Sequence, residues 1–476
     1  MRGRTIHEDE KYVEKMMTQK KRITIIGGGV GGYPAAIRAA RMGAEVVLIE
    51  KKALGGTCLN RGCIPTKALL QSADVLRTIR ESDVFGIKCP EAAVDFSAIM
   101  GRKNAVVAQL SRGVQGLLAA KKVEVIRGTA ALRGPGTVVI EETGRQISSD
   151  DVLIATGSTS MAIPIEGIDG PDVMNSTRFL EMERLPKSVV IIGGGVIGVE
   201  FGQFLNAMGT KVTIIELTPG LLPGSDRQIA ALLENMLVRS GIEVATGAAA
   251  KRIDHRETGN TVVYSVNDEE KAVTAEKILL TVGRKPDLSL LGDGKLGIKC
   301  EKGRIVVDEY MQTSVPGVYA AGDVIGGAML AHVATAEGEC AVENMLGERI
   351  RMDYRAVPSC IYTSPEVASV GLTEEKAKES HEIRTGIFPL RANGKALILN
   401  ETDGMVKIVS DKKYGEILGV HIIGPHATDM ISEAVLGINL EATVKELARA
   451  IHPHPTLSEA MMEAALTLSG GAIHMP

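Results

Sequence analysis

Short apolar runs alternate with helical stretches along this chain, and one such alternation occurs twice. Residues 23–50 read ITIIGGGVGGYPAAIRAARMGAEVVLIE, and residues 189–216 read VVIIGGGVIGVEFGQFLNAMGTKVTIIE. Each begins with an apolar run of strand length and passes through G-x-G-x-x-G into a helical pattern. Each then ends in a second apolar run closed by an acid. The glycines keep one offset: Gly27 with Gly193, Gly29 with Gly195, Gly32 with Gly198 and Gly43 with Gly209, while Glu50 aligns with Glu216. These parts predict a βαβ unit, written twice.

The spacing carries a chemistry. The first glycine makes the tight turn, the second lets backbone approach a pyrophosphate at the helix N-terminus, and the third allows close helix–strand packing. The terminal Glu can accept hydrogen bonds from an adenosine ribose. Two units imply two dinucleotides, which suits a flavin and a nicotinamide. Glu216 would repel a 2′-phosphate, and no Arg follows it in LTPG, so NAD is favoured over NADP. Two further apolar runs ending in glycine, VLIATG at 152–157 and ILLTVG at 278–283, are expected to close the two folds. In VYAAGDV, Asp323 follows a strand and a glycine, where an acid could hold a hydroxyl-rich chain or simply end a strand.

The segment GGTCLNRGCIPTK holds Cys58 and Cys63, five residues apart. A regular helix would separate their Cα atoms by about 8–9 Å, whereas a disulfide needs less than about 7 Å. If the two pair, the intervening residues are not regular helix, and Asn60 and Gly62 allow a turn. Pro65 suits the first helical position, and KALLQSADVLRTI continues as a helix whose positive end would favour a Cys63 thiolate. A zinc site would need further Cys or His ligands at matching spacing, and none stands nearby. The other cysteines, Cys89, Cys300, Cys340 and Cys360, stand alone and are expected to be small buried apolar residues.

Near the C-terminus stands HPHPTLSE. His452 and His454 both precede prolines, so a helix should begin just after Pro455, with Thr456 as N-cap and Glu459 completing a capping box. A dithiol attacks a disulfide as its thiolate, and a histidine held by a carboxylate is suited to take that proton near neutral pH.

Composition narrows the field further. The 476 residues suit about two to four domains. A net charge of −4 and aromatics at only 3%, with no Trp, argue against a nucleic-acid partner. Six cysteines in so long a chain do not make a secreted disulfide framework. No run approaches the roughly 18 apolar residues of a membrane span. Residues 1–22 are too acidic for a transit peptide and too polar for a signal peptide; they are expected to form a frayed tail or short exposed helix, in a cytoplasmic protein.

On both nucleotide units, GGTCLNRGCIPTK, AAGD, MLAH, SCIYTSPEVASVG and HPHPTLSEAMMEAA, the chain resembles the pyridine nucleotide–disulfide oxidoreductases from about residue 22 onward. The closest branch is the one that oxidises dihydrolipoamide. The resemblance implies an α/β fold with two Rossmann-like dinucleotide-binding domains and a C-terminal α+β dimerisation domain. The expected limits are a tail at 1–21, an FAD domain at 22–150, an NAD domain at 151–283, a segment completing the FAD domain at 284–350, and an interface domain at 351–476.

By the same resemblance, Cys58 and Cys63 form a redox disulfide, with Cys58 taking the substrate and Cys63 facing the flavin. His454 is the base and Glu459 its partner, and His452 is structural. FAD would be held by Gly27, Gly29, Gly32, Glu50, Thr57, Lys67, Gly128, Thr156, Gly157, Ser158, Asp323, Met329, Leu330, Ala331 and His332. NAD would be held by Gly193, Gly195, Gly198, Glu200, Glu216 and Gly283, with Glu200 also pairing with Lys67. The implied protein is a homodimer serving a lipoyl-bearing protein of a 2-oxoacid dehydrogenase or glycine-cleavage complex, with no metal. The alternative is another disulfide reductase of the family. A mercuric reductase is disfavoured because no cysteine follows Cys360. Two residues depart from the family pattern. Arg61, between the cysteines, should favour thiolates, and Pro453 should stiffen the approach to His454.

Overall fold

The computed structural model describes residues 20–257, 259–291 and 296–475. Residues 1–19, where the charged tail was expected, lie outside the described residues. The described residues divide into two compact units: those within 20–60, 107–159 and 284–352 form the first, and those within 61–106, 160–283 and 353–475 the second.

The first unit is built on a five-stranded parallel sheet in the order Val318–Ala320, Asp151–Ile154, Arg22–Ile26, Glu45–Glu50, Glu124–Arg127. Its central strands are buried almost end to end, as sheets covered on both faces require. The helix Tyr33–Arg41 crosses between the first two βαβ strands, burying Ala35, Ala36 and Ala39. The second unit repeats the plan: Glu243–Ala245, Lys211–Ile215, Ser188–Ile192, Lys277–Leu280, Val173–Asn175, all parallel, with Val196–Ala207 as crossover helix. Each unit also carries a three-stranded antiparallel sheet, between residues 130 and 148 in the first and between 248 and 275 in the second. The duplication read over 28-residue segments therefore extends across whole folding units.

The second unit continues into a five-stranded antiparallel sheet, Ser359–Ile361, Glu366–Gly371, Ile417–Gly424, Met405–Asp411, Ile383–Pro389. The helices Ala427–Asn439 and Glu459–Ser469 bury their apolar faces against it. Mixed α/β architecture with two dinucleotide folds and a C-terminal α+β part is thus what the chain adopts.

Three expectations need correction. The boundary at 150/151 falls one strand early, because Asp151–Ile154 pairs in parallel with Arg22–Ile26 and belongs to the first sheet. The interval 61–106 leaves the first unit for the second, because Leu69, Leu70, Ala73 and Leu76 pack in the core of the second. Of the four solitary cysteines, Cys340 is buried and Cys360 half-buried, but Cys89 and Cys300 are exposed.

Candidate active site

The first nucleotide loop is closed by backbone that only glycine permits. A Cβ on Gly27 (φ +107°) would lie 2.2 Å from the Ala155 carbonyl oxygen, and one on Gly32 1.8 Å from that of Gly27. Glu50 holds the loop through its carboxylate, which accepts from Gly28 N–H and Lys52 N–H, each at 2.7 Å. The helix Tyr33–Arg41 has no side-chain cap; its Tyr33 N–H turns back to the Gly29 carbonyl at 2.9 Å, and Pro34 follows at the second position. In the second unit, Gly193 (φ +110°) and Gly198 repeat the packing, while a Cβ on Gly195 would meet nothing within 4 Å. Glu216 accepts from Gly194 N–H at 2.5 Å and from Thr218 N–H and Oγ at 2.8 Å. The helix Val196–Ala207 likewise lacks a side-chain cap. A glycine loop ahead of a helix without a side-chain cap fits a dinucleotide in each unit, with open space at Gly195 in the second.

The remaining nucleotide candidates of the first unit lie along the ends of its strands. Gly128 N–H donates to the Glu50 carbonyl at 3.1 Å. Thr156 Oγ donates to the Asp287 carbonyl at 2.8 Å, and Asp287 N–H returns to the Gly157 carbonyl at 2.9 Å. Ser158 hydrogen-bonds Asp323 and accepts from Arg284 at 2.7 Å. Met329 and Leu330 lead into the helix Ala331–Met345, with Ala331 and His332 in its first turn. In the second unit, Gly283 (φ +111°) closes the run after Lys277–Leu280.

The redox segment starts against the first loop. Gly55 N–H donates to the Gly28 carbonyl at 2.7 Å, and a Cβ on Gly56 would stand 2.6 Å from Gly29 Cα. Two glycines thus bring the cysteine segment onto the phosphate-binding loop. A short helix, Gly56–Arg61, carries Thr57 and Cys58, and Asn60 ties it back to the Leu54 and Gly56 carbonyls at 2.9 Å each. Gly62 (φ −149°, ψ −111°) breaks the helix, and a second one, Cys63–Arg80, begins at once. The break expected between the cysteines is therefore present at Gly62. The second helix starts two residues before Pro65, which puts Cys63 in its first position, where the dipole favours a thiolate.

One turn into that helix, the Lys67 ammonium reaches both oxygens of Glu200, at 2.9 and 2.8 Å. Glu200 is buried and also accepts from Tyr362 N–H at 2.9 Å. The carboxylate thus stands beside the lysine, the pairing expected of it. Lys67 also lies 4.6 Å from the centre of the Tyr362 ring, and burial pushes the Tyr362 phenol up to about 12. Tyr362 carries no sequence signal for this role beyond its place in SCIYTSP.

At the C-terminal end, His454 Nδ1 stands 2.9 Å from Glu459 Oε1. A carboxylate only accepts, so Nδ1 carries the proton and Nε2 is left as the basic nitrogen. The imidazole is 79% exposed, while burial raises the Glu459 carboxyl and its bonds to Thr456 N–H and His454 outweigh that, holding it below its ordinary value. His452 is buried between Glu433 (3.0 Å) and the Ala450 carbonyl (3.0 Å), in the structural place expected of it. The capping box forms only in half. Glu459 accepts from Thr456 N–H at 2.8 Å, but the Thr456 hydroxyl goes to the Pro453 carbonyl and the helix starts at Glu459 itself.

Comparison with known proteins agrees with this geometry. The pyridine nucleotide-disulphide oxidoreductase family model matches residues 21–338, and the dimerisation domain of that family matches 357–465. The chain belongs to the pyridine nucleotide-disulphide oxidoreductases. Such an oxidoreductase uses FAD and NAD, and this chain carries the family's dimerisation domain. It is 46% identical to a dihydrolipoyl dehydrogenase of Bacillus subtilis, over 95% of this chain and 98% of the relative. It is 43% identical to that of Thermus scotoductus over 95% and 98%, and 39% to the mitochondrial enzyme of Pisum sativum over 95% and 92%. Among solved structures, LpdA from Mycobacterium tuberculosis superposes with a TM-score of 0.87 at 29% identity, covering 94% of this chain and 99% of that one. The Cu(II) complex of the HOCl-induced flavoprotein disulfide reductase RclA from Escherichia coli reaches 0.84 at 30%, again over 94% and 99%. Among the described residues of this oxidoreductase, no helix is long and apolar enough to cross a membrane, and no cluster of His, Cys, Asp and Glu could hold a metal ion.

Proposed function

We propose that the chain oxidises protein-borne dihydrolipoyl groups at the expense of NAD, working as a homodimer in the cytoplasm. The observation that carries this reading is His454: a well-exposed imidazole, oriented by an ionised Glu459, in a chain that also holds Cys58 and Cys63 at a helix break. His454 Nε2 takes the proton of one substrate thiol. The resulting thiolate attacks Cys58 Sγ, the Cys58–Cys63 bond breaks, and Cys63 leaves as a thiolate at its helix N-terminus. The second substrate thiol then attacks the mixed disulfide at the substrate sulfur; the bond to Cys58 breaks, Cys58 leaves and takes up that thiol's proton, and the products are the cyclic lipoyl disulfide and a cysteine pair carrying two electrons. Bound FAD and NAD supply the route by which those electrons leave as hydride.

The chain's own residues hold those groups. The Gly27–Gly32 loop, Glu50, Gly128, Thr156 to Ser158, Asp323 and residues 329–332 are assigned to FAD. The Gly193–Gly198 loop, Glu216 and Gly283 are assigned to NAD. The partner is the lipoyl-bearing protein of a 2-oxoacid dehydrogenase or glycine-cleavage complex; the names of the bacterial and plant relatives, dihydrolipoyl dehydrogenases, support the dihydrolipoyl substrate. NAD reduction by dihydrolipoamide tests this, with a His454→Gln variant alongside. The variant should lose about 10²–10⁴-fold in rate while still oxidising NADH with an artificial electron acceptor. NADH oxidation without any dihydrolipoamide turnover in the unaltered protein would favour the second reading, a reductase of another disulfide, to which the likeness to RclA points.

A further inference from the structure

The Lys67 ammonium is held from two sides, and the second side is an aromatic ring. Both oxygens of the buried Glu200 carboxylate accept from Lys67, and the centre of the Tyr362 ring lies 4.6 Å from Nζ. At that distance the negative face of a ring attracts a cation. Tyr362 is placed there by its backbone. Its N–H donates to Glu200 Oε1 at 2.9 Å. Two residues on, Ser364 N–H donates to Gln203 Oε1 and the Ser364 carbonyl accepts from Gln203 Nε2, each at 2.6 Å. Glu200 and Gln203 stand three apart on the helix Val196–Ala207 and share a face. The segment after the strand Ser359–Ile361 is therefore pinned to that helix at two points, which brings the ring onto the lysine. Tyr362 is 38% exposed, so the ring is not core filling. Burial pushes its phenol up to about 12, and the ring stays neutral.

A neutral ring does what a second carboxylate could not: it attracts the ammonium without cancelling its charge. Lys67 follows Cys63 by four residues in the helix Cys63–Arg80, so the two share a face with Cβ atoms about 5–6 Å apart. We propose that Tyr362 is a positioning residue for Lys67: its ring holds the ammonium, still charged, one helical turn from Cys63, and so favours the reduced cysteine pair. The inference rests on the cysteine chemistry given above. Hydride from NADH, for which bound FAD supplies the route, breaks the Cys58–Cys63 bond and leaves one thiol and one thiolate, with NAD as the other product. A cation near Cys63 stabilises the thiolate. It meets no charge on the disulfide, so it moves the equilibrium toward the reduced pair.

The test is the ratio of reduced to oxidised cysteine pair in the full-length, FAD-bound protein at a fixed NADH/NAD ratio, counted as thiols gained over the oxidised protein. Tyr362→Leu removes the ring and should lower that ratio about two- to fivefold. Tyr362→Phe keeps the aromatic face and should leave it unchanged. In a Lys67→Met background, Tyr362→Leu should change nothing further. If Tyr362→Leu loses its flavin, Tyr362→Met, nearer the ring in length, takes its place. An unchanged ratio in the ringless variant overturns the proposal, as does an equal fall in Tyr362→Phe or an equal fall without Lys67. If NADH reduces the cysteines of the unaltered protein but dihydrolipoamide does not turn over, the dihydrolipoyl reading fails and the variants still decide this one. Cysteines that NADH cannot reduce would end both.

Discussion

Lys407→Met should be among the most damaging single substitutions in the second unit. Lys407 is 1% exposed on the strand Met405–Asp411. Its ammonium reaches both oxygens of Asp226, itself fully buried, at 3.0 and 2.8 Å, and Glu374 at 2.7 Å. Burial alone would raise the Asp226 carboxyl. The bond from Lys407 and the surrounding charge outweigh it and hold the carboxyl below its ordinary value. Asp226 also caps the helix Arg227–Arg239 through Gln228 N–H and Ile229 N–H. The lysine therefore joins the start of a nucleotide-fold helix to the C-terminal sheet. Methionine matches its bulk but strands a buried carboxylate, for which the cost is about 3–5 kcal/mol. Urea denaturation followed by circular dichroism should show that loss in the first transition. Adding Asp226→Asn should recover more than about 1 kcal/mol despite weakening the cap. A loss under about 1 kcal/mol for Lys407→Met, or no recovery in the double variant, would refute the argument that an uncompensated charge is what matters.

Other consequences can be checked more simply. His421 stands opposite Lys407 across the strand pair, its Nε2 at 3.0 Å from the Leu372 carbonyl, and burial lowers its pKa. The unfolded chain therefore binds this proton first as pH falls. The contribution is intact above about pH 6.5 and is lost progressively below it, so the urea midpoint should drop between pH 7 and pH 5, and less so in His421→Gln. Glu216→Ala orphans Gly194 N–H and Thr218 N–H and should raise KM for NAD about tenfold or more, with little change in dihydrolipoamide KM; equal change in both would assign Glu216 a different place. Arg61 ends the short helix three residues after Cys58, on the same face. Arg61→Val should make the cysteine pair harder to reduce, read as a lower fraction of dithiol at equilibrium with a fixed NADH/NAD ratio; an unchanged fraction would remove any electrostatic role for this arginine.

The parts of the fold that are legible in the sequence are those a short stretch of backbone imposes on itself. Gly27, Gly32, Gly193 and Gly198 mark positions where a Cβ would collide with main chain, so the spacing of glycines alone reveals two nucleotide loops. Gly62 marks the break between the cysteines through its own backbone angles, φ −149° and ψ −111°. Where a local rule faces a tertiary competitor, it is only half right. Thr456 spends its hydroxyl on the Pro453 carbonyl, and the strand after residue 150 joins the first sheet and not the second.

By itself, the sequence determined two dinucleotide folds, a cysteine pair at a helix start and a histidine followed by its carboxylate, because each is specified within a few dozen residues. Only the tertiary structure decided the pairings of charge. Lys407 meets Asp226 across 181 residues, Tyr362 N–H meets Glu200 across 162, and the tail returns His474 to Glu463. A buried charge takes as partner whatever the packed elements bring within about 3–4 Å, and that distance is set by sheet order and helix packing, which no local spacing encodes.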